Sequence, residues 1–409
     1  MTWTPVLTVT IAGTDYTGNT INLVQLRRGR NTVYTSVQPA IAAITLLDID
    51  GTGIVPTVAD PITVTLEDTA GNPQTLFVGE VSDWFTQVYD SGVKNSVGAA
   101  IRITAVSNLA KLFRRQVFTD GRPAELDGER ILAILLDGLG VPWEEAAGQW
   151  DDYTTQTWET FEPGIDFDIV DTPGIYEIEP LDPEEAGYNS GSIAGDTGLS
   201  AGGLVYETAD GRIGYADFFR RFTNSEAGYL QVPGSKLTAS LISTASQIAD
   251  LANVVNVEFA GGEVTRTDAD SVQQYGRLTQ NLRTILNNAG DAGTFADRYL
   301  AGHAQPAVSF EQAPIRLDQD IEPQLRDALI GIEVNDAIEL TNLPVTLGLT
   351  SFAGFVEGLR FEIDPFRCEL QLFVSDTNLS LGPAFWASLP SIAWQDVPAQ
   401  LQWTNAGSL

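Results

Sequence analysis

Every second residue is apolar in a series of short runs separated by turn formers, and no other feature limits the fold of this 409-residue chain so tightly. Leu7, Val9 and Ile11 form one run, Ile62, Val64 and Leu66 another, and Ile101, Ile103 and Ala105 a third. Successive side chains alternate between the two faces of a strand, so period two predicts half-buried antiparallel strands. Asp50-Gly51, Ala70-Gly71-Asn72-Pro73 and Asp90-Ser91-Gly92 offer the Asx geometry or positive φ that tight connections need. Residues 1–118 therefore read as a first small β-barrel or sandwich. Val106, Leu109, Ala110 and Phe113 change to helical spacing and close it, with Arg114 and Arg115 placed where cations suit the helix macrodipole.

A second helix is expected over 127–139. Leu132, Leu135, Leu136 and Leu139 share a face, Gly140 can terminate it and Pro142 forbids continuation. From Ile131 to Gly211 the chain then carries 18 acids and no Lys, Arg or His. Its aromatics, Trp143, Trp150, Trp158, Phe161, Phe167, Tyr176 and Tyr188, set this block apart from a plain acidic tail, so parts of it should fold. Gly187 to Gly203 reads as a flexible crossing. Gly203 to Glu207, Asp210-Gly211 and Ile213 with Tyr215 read as a hairpin with a two-residue turn.

Helical spacing returns at Leu241, Ala245, Ile248 and Ala252, and again at Ala292, Phe295, Ala296 and Tyr299, with a strand from Val254 to Phe259 between them. Ile330 to Leu340, Phe355 to Ile363 and Cys368 to Val374 read as strands of a second β-domain, before a Trp-bearing tail from about Asn378. The expected fold class is mainly β with inserted helices. Its division is 1–118, a middle region 119–249, a second β-domain 250–376 with a helical insert near 270–302, and a tail 377–409. Two β-domains around a helical, acidic middle suggest a worn internal duplication.

Chemistry is constrained by what the composition lacks. With 22 Lys and Arg against 54 Asp and Glu, the formal charge is −32, which opposes attraction to phosphate backbones or anionic lipid. One cysteine, Cys368, cannot form an intramolecular disulfide, and one histidine, His303, leaves His/Cys metal sites short of ligands. Neither a metal nor another cofactor is expected. The opening MTWTPVLTVTIAGTDY lacks the basic and apolar regions of a signal peptide, and no window approaches the length of a membrane helix. Folding in a cytoplasm without a membrane span is expected.

No local motif marks a nucleophile. His303 lies in Ala301-Gly302-His303-Ala304 with no G-x-S-x-G nearby, and reads as a loop residue after the helix at 292–300. Cys368 sits in an alternating strand as a small buried hydrophobe. Asp48-Ile-Asp50-Gly51-Thr opens like a calcium loop but lacks the later ligands, so it reads as a turn. The run Thr265 to Ser271 reads as N-caps and turn formers. Gly191 to Gly195 and Gly198 to Gly202 lack the lysine and preceding strand of a phosphate loop, and read as linker. Arg27, Arg28 and Arg30 stand apart as three cations within four residues of an acidic chain, and read either as a solvated turn or as a salt-bridging edge that meets an acidic neighbour.

The order of several segments carries a resemblance. It begins with Arg28-Gly-Arg30 after the first hairpin, Leu76-Phe-Val-Gly-Glu-Val81, Ile101-Arg-Ile-Thr-Ala105 with Leu109-Ala-Lys-Leu112, and the Ile131 to Gly140 helix. It continues with Gly203 to Glu207, Asp210 to Ile213, Asp270-Ser-Val272 with Tyr275-Gly276, Ala292 to Leu300, Gly331 to Leu340 and Gly354 to Gly358. Together these resemble the baseplate hub proteins of bacteriophage tails, the family that includes the N-terminal part of tail-associated lysins.

The resemblance covers about 1–375 and implies two similar β-barrel ring domains per chain, 1–118 and about 250–262 with 310–376. It implies three chains in a pseudo-hexameric collar that adapts a sixfold tube to a threefold tip. The implied location is the virion tail tip, after assembly in the host cytoplasm. Implied partners are further copies in a homotrimer, the distal tail protein or tail tube, the tape measure protein, and a central fibre, spike or other minor tail protein. Genomic DNA would pass through the lumen without specific binding, past a wall expected to be lined by Asp and Glu. The acidic block departs from the family pattern, and no lysin or peptidase segment is visible, so no enzymatic activity is expected. The alternatives are a virion-associated glycan hydrolase using acids of 131–211, or a carbohydrate-binding tip protein whose Trp143, Trp150 and Trp158 stack on sugars.

Overall fold

The structure, a computed structural model, describes residues 3–31, 35–49, 53–90, 97–139, 165–238, 243–245, 251–306 and 309–377. Seven strands come first: β1 (Leu7–Ile11), β2 (Thr14–Thr17), β3 (Ile21–Gly29), β4 (Gln38–Asp48), β5 (Pro61–Glu67), β6 (Pro73–Asp90) and β7 (Val97–Ser107). They are neighbours in the order β2-β1-β5-β6-β7-β4-β3, antiparallel throughout. The apolar alternation selects one face: Val9, Ile44, Ile62, Val64, Ile101 and Ile103 all enter a single core.

The middle of the chain is mixed. It comprises α1 (Asn108–Leu112), β8 (Gln116–Val117), β9 (Glu125–Leu126), α2 (Asp127–Leu139), β10 (Ile165–Val170), β11 (Glu177–Ile178), β12 (Tyr188–Asn189) and α3 (Ser190–Ala201). The hairpin β13 (Leu204–Glu207) and β14 (Ile213–Ala216) follows, with β10 added beside β14 in parallel. Here α2 occupies the expected span, but its buried face centres on Ile131, Ile134 and Leu135, one position from the leucine stripe.

Next come α4 (Arg220–Ala227), β15 (Leu230–Pro233) and β16 (Ser243–Ala245). A separate three-stranded sheet is formed by β17 (Val254–Phe259), β18 (Gly262–Thr267) and β19 (Thr279–Arg283). With it go α5 (Ala269–Tyr275), whose N-cap is Asp268, and α6 (Ala289–His303). The final elements are β20 (Ser309–Arg316), α7 (Pro323–Ile330), β21 (Ala337–Thr341), β22 (Phe352–Asp364) and β23 (Arg367–Asp376).

The two β-rich parts are not separate barrels. Strand β3 pairs with β22 instead of turning back to close the first unit, so both parts share one thirteen-stranded sheet that runs β16-β20-β23-β22-β3-β4-β7-β6-β5-β1-β2. Strands β15 and β21 complete it beside the N-terminal half of β22. Among the described residues, none of the sheets closes. Mainly β with inserted helices describes the chain; two closed barrels do not.

Duplication is written into the strand order. In the first unit β3-β4-β7-β6-β5 are successive antiparallel neighbours, and in the second β16-β20-β23-β22-β21 repeat that order and those directions. The two long strands even bulge at the same place. Ser82 is the extra residue between Val81↔Ala105 and Asp83↔Thr104, and Glu357 is the extra residue between Val356↔Val374 and Gly358↔Phe373. Three residues earlier, Gly79 and Gly354 stand at matching points, where a Cβ would lie 2.3 Å from the Val106 carbonyl and 2.2 Å from that of Ser375.

Several expectations change. Gly187 to Gly203 is no linker: Asn189 caps α3 by accepting from the Ser192 amide, and glycines let the helix approach its neighbours. The hairpin turn spans Thr208 to Arg212, with the Gly211 amide donating to the Thr208 carbonyl and Gly211 at φ +83°, a three-residue loop in place of two. The expected helix at 241–252 holds strand β16 at 243–245, while 239–242 and 246–250 lie outside the described residues. Residues 254–259 belong to the separate sheet, so 250–262 is not part of the second β unit. Ile330 ends a helix, and the strand begins only at Ala337. His303 is no loop residue; it is the buried end of α6, stacked on Tyr299 at 3.9 Å. Cys368 is buried in β23, in phase with Leu370, Leu372 and Val374.

Candidate functional site

The joint between the two β units concentrates buried charge. At the crossing of β3 and β22, Gly29 faces Gly358, and a Cβ on Gly29 would lie 2.4 Å from the Glu357 carbonyl oxygen. The bulge turns Glu357 inward, where it is fully buried. Arg30 Nε donates to Glu357 Oε2 at 2.7 Å, while Arg221, from α4, donates to Oε1 at 2.7 Å and Oε2 at 2.9 Å. The Ser375 hydroxyl also donates to Oε1. Arg221 Nε reaches Asn335 Oδ1 at 3.1 Å, and Asn335 itself has φ +75° with its amide on the Val356 carbonyl.

Burial alone would raise the Glu357 carboxyl, but Arg221 and Arg30 pull it down to about 2. A carboxylate so placed holds elements together and accepts no proton near neutrality. Beside it, Arg28 Nη1 lies 2.5 Å from Glu333 Oε2, and Glu333 Oε1 accepts from the Ala209 amide at 3.0 Å. This second contact pins the β13–β14 turn to the same joint. Burial pushes Glu207, at the end of β13, up to about 7, and Asp336 up to about 6.

The three sequence candidates therefore separate. Arg28 and Arg30 are buried on carboxylates of their own chain, because the β22 bulge brings Glu357 to Arg30 and the connection between α7 and β21 brings Glu333 to Arg28. Arg27 alone faces outward, with Nη2 3.0 Å from Asn31 Oδ1. Trp143, Trp150 and Trp158 lie outside the described residues. Missed in the sequence were Arg221 and Glu357. For Glu357 the signal was a single carboxylate inside the otherwise apolar run Phe352 to Leu359, next to a glycine.

A second feature is an open edge. Strand β5 pairs with β6 as far as Glu80, and the last contact on that side is Val81 with Ala59 and Asp60. From Ser82 onward, among the described residues, β6 pairs only with β7. Trp84 is 38% exposed, Phe85 59% and Val88 64%. A long apolar edge of this kind is ready to pair with another chain.

No protein-family model matches the sequence, and no curated protein matches it. Solved structures share the fold. The 43 kDa tail protein of prophage MuSo2 from Shewanella oneidensis matches with a TM-score of 0.59 and 12% identity, over 92% of this chain and 100% of that one. A tail protein from Neisseria meningitidis MC58 matches with a TM-score of 0.59 and 9% identity, over 93% of this chain and 99% of that one.

Proposed function

We propose that this chain is a structural protein of a bacteriophage tail, the homotrimeric hub at the tail tip. One observation carries the reading: two β units of identical strand order are fused side by side in one sheet, so three copies present six similar units to a sixfold tube and three to a tip. Two solved structures that share this fold, both of tail proteins, support the tail assignment. On this reading the distal tail protein or tube sits on one face of the ring. A fibre, spike or other minor tail protein sits on the other, with the tape measure protein reaching the collar. Genomic DNA passes through the opening unbound, since a chain of formal charge −32 repels phosphates within about 8 Å of its acidic side chains.

Native mass spectrometry with low-resolution microscopy tests the proposal. The expected result is a threefold ring of three copies; a monomer at every concentration overturns it.

A further inference from the structure

Among the described residues, the duplication leaves one strand edge unmatched on each unit. In the second unit, β22 pairs through Gly358 to Ile363 with β3 of the first unit. Its counterpart in the first unit is the stretch of β6 from Asp83 to Val88, which the common bulge and the pairings with β7 and β23 place in register: Trp84 with Leu359, Thr86 with Phe361, Val88 with Ile363. The counterpart of β3 is β16. Leu26 lies opposite Ala42, Thr244 opposite Phe310, and Ala42 and Phe310 lie opposite the matching residues Ala105 and Val374. Strand β16 pairs with β20 on one side and ends the sheet path on the other. Six strands separate it from β6 within one chain.

We infer that the Ser82–Asp90 edge of β6 is covered by β16 of a second copy, as an antiparallel repeat of the β3–β22 junction. Exposure supports the assignment. Leu359, Phe361 and Ile363 are fully buried beside β3, whereas Trp84 and Val88, on the same face of the matching strand, are 38% and 64% exposed. A second copy is the occupant the chain itself specifies, because it alone offers the counterpart of the strand that covers β22. The contact is head-to-tail, β6 of one copy to β16 of the next, and such contacts close into a ring where the rotation between copies closes. The register transfers from the internal junction, with Gln87 opposite Ser243 of the next copy, just as Glu362 lies opposite Gln25. There the two side chains meet, Gln25 Nε2 donating to Glu362 Oε2 at 3.0 Å.

This inference rests on the reading of the chain as a ring-forming protein, and the experiment separates the two. In full-length protein carrying Gln87→Cys and Ser243→Cys, mild oxidation is expected to give disulfide-linked dimers and trimers, and neither single substitution should do so. The native Cys368 is buried and takes no part. Val88→Asp, on an exposed side chain, is expected to leave the circular dichroism of the folded chain unchanged while reducing ring formation at least tenfold. A three-copy ring in which the cysteine pair stays reduced overturns the strand pairing and leaves the hub intact. A chain that stays monomeric overturns both.

Discussion

Arg221, on α4, grips both carboxylate oxygens of Glu357, on β22, at 2.7 and 2.9 Å. With Arg30 on the same carboxylate, the contact ties the first β unit, the second and the helix that leaves the middle of the chain. Removing one member of a buried ion cluster strands the others without compensation, at about 3–5 kcal/mol. Glu357→Gln keeps the shape and removes the charge, so urea unfolding should show a loss of that size. A loss under about 1 kcal/mol would mean that the clamp is solvated in solution.

Glu207 and Glu357 give opposite pH dependences. Burial pushes the Glu207 carboxyl up to about 7 from its ordinary 4.5, against a hydrogen bond from the Leu109 amide. The folded chain thus holds a proton that the unfolded chain has released. Its contribution, about 3 kcal/mol, is complete below about pH 4.5 and is lost as pH rises through 7. Asp217 and Asp336, each pushed to about 6 chiefly by burial, act in the same direction. Burial would also raise Glu357, but Arg221 and Arg30 hold it near 2, so its contribution is complete above 4.5 and fades as pH falls toward 2. Stability measured by urea midpoint should therefore peak near about pH 5. Glu207→Gln should flatten the limb between about pH 5 and 7 and spare the acid limb. A midpoint that climbs steadily from pH 5 to 8 would contradict a protonated, buried Glu207.

Two glycines of α3 make opposed predictions. A Cβ on Gly191 would lie 2.7 Å from Phe113 Cγ and 2.8 Å from its Cβ, atoms too near the backbone to move aside. Gly191→Ala should therefore destabilise by about 1–3 kcal/mol. A Cβ on Gly195 meets only Ser36 Cβ, at an ordinary 3.5 Å, so Gly195→Ala gains helix propensity of up to about 1 kcal/mol. Thermal unfolding of the two variants should move in opposite directions. Equal, small shifts would show that α3 is not packed as described.

The sequence was legible where one face is wet and the other dry. Ile62, Val64 and Leu66, or Cys368 to Val374, alternate cleanly because each strand has solvent on one side. Helix α2 was visible through its periodicity, with only its burial centre displaced. The same glycines that made α3 read as a linker serve there as contact surfaces, a role that composition cannot distinguish from flexibility. Pairing of β3 with β22 was hidden because the partners lie more than 300 residues apart, and nothing local says whether an edge closes its own unit or joins another. Arg28 and Arg30 stood out as cations in an acidic chain, but the partner of Arg30 depended on a bulge that turns Glu357 inward, and that of Arg28, Glu333, lies 305 residues away.

Arg27 remains the one member of the arginine cluster that faces away from the clamp. On the outer face of the β3–β22 pair it lies directly opposite Arg360, whose side chain is 43% exposed. Like charges in that position repel by a few tenths of a kcal/mol. Within the single chain, Arg27→Glu should accordingly leave the urea midpoint unchanged or slightly raised, by about 0.5 kcal/mol at most. Arg30→Glu, placing a second carboxylate against Glu357, should prevent folding. On the hub reading we propose that Arg27 meets an acidic surface of the distal tail protein or tube, while Arg360 keeps its own carboxylate, Glu362, at 3.6 Å. The folded Arg27→Glu protein should then fail to complement a phage lacking the gene, with particle titres at least tenfold down. Wild-type titres from a normally folded variant would restrict Arg27 to solvent.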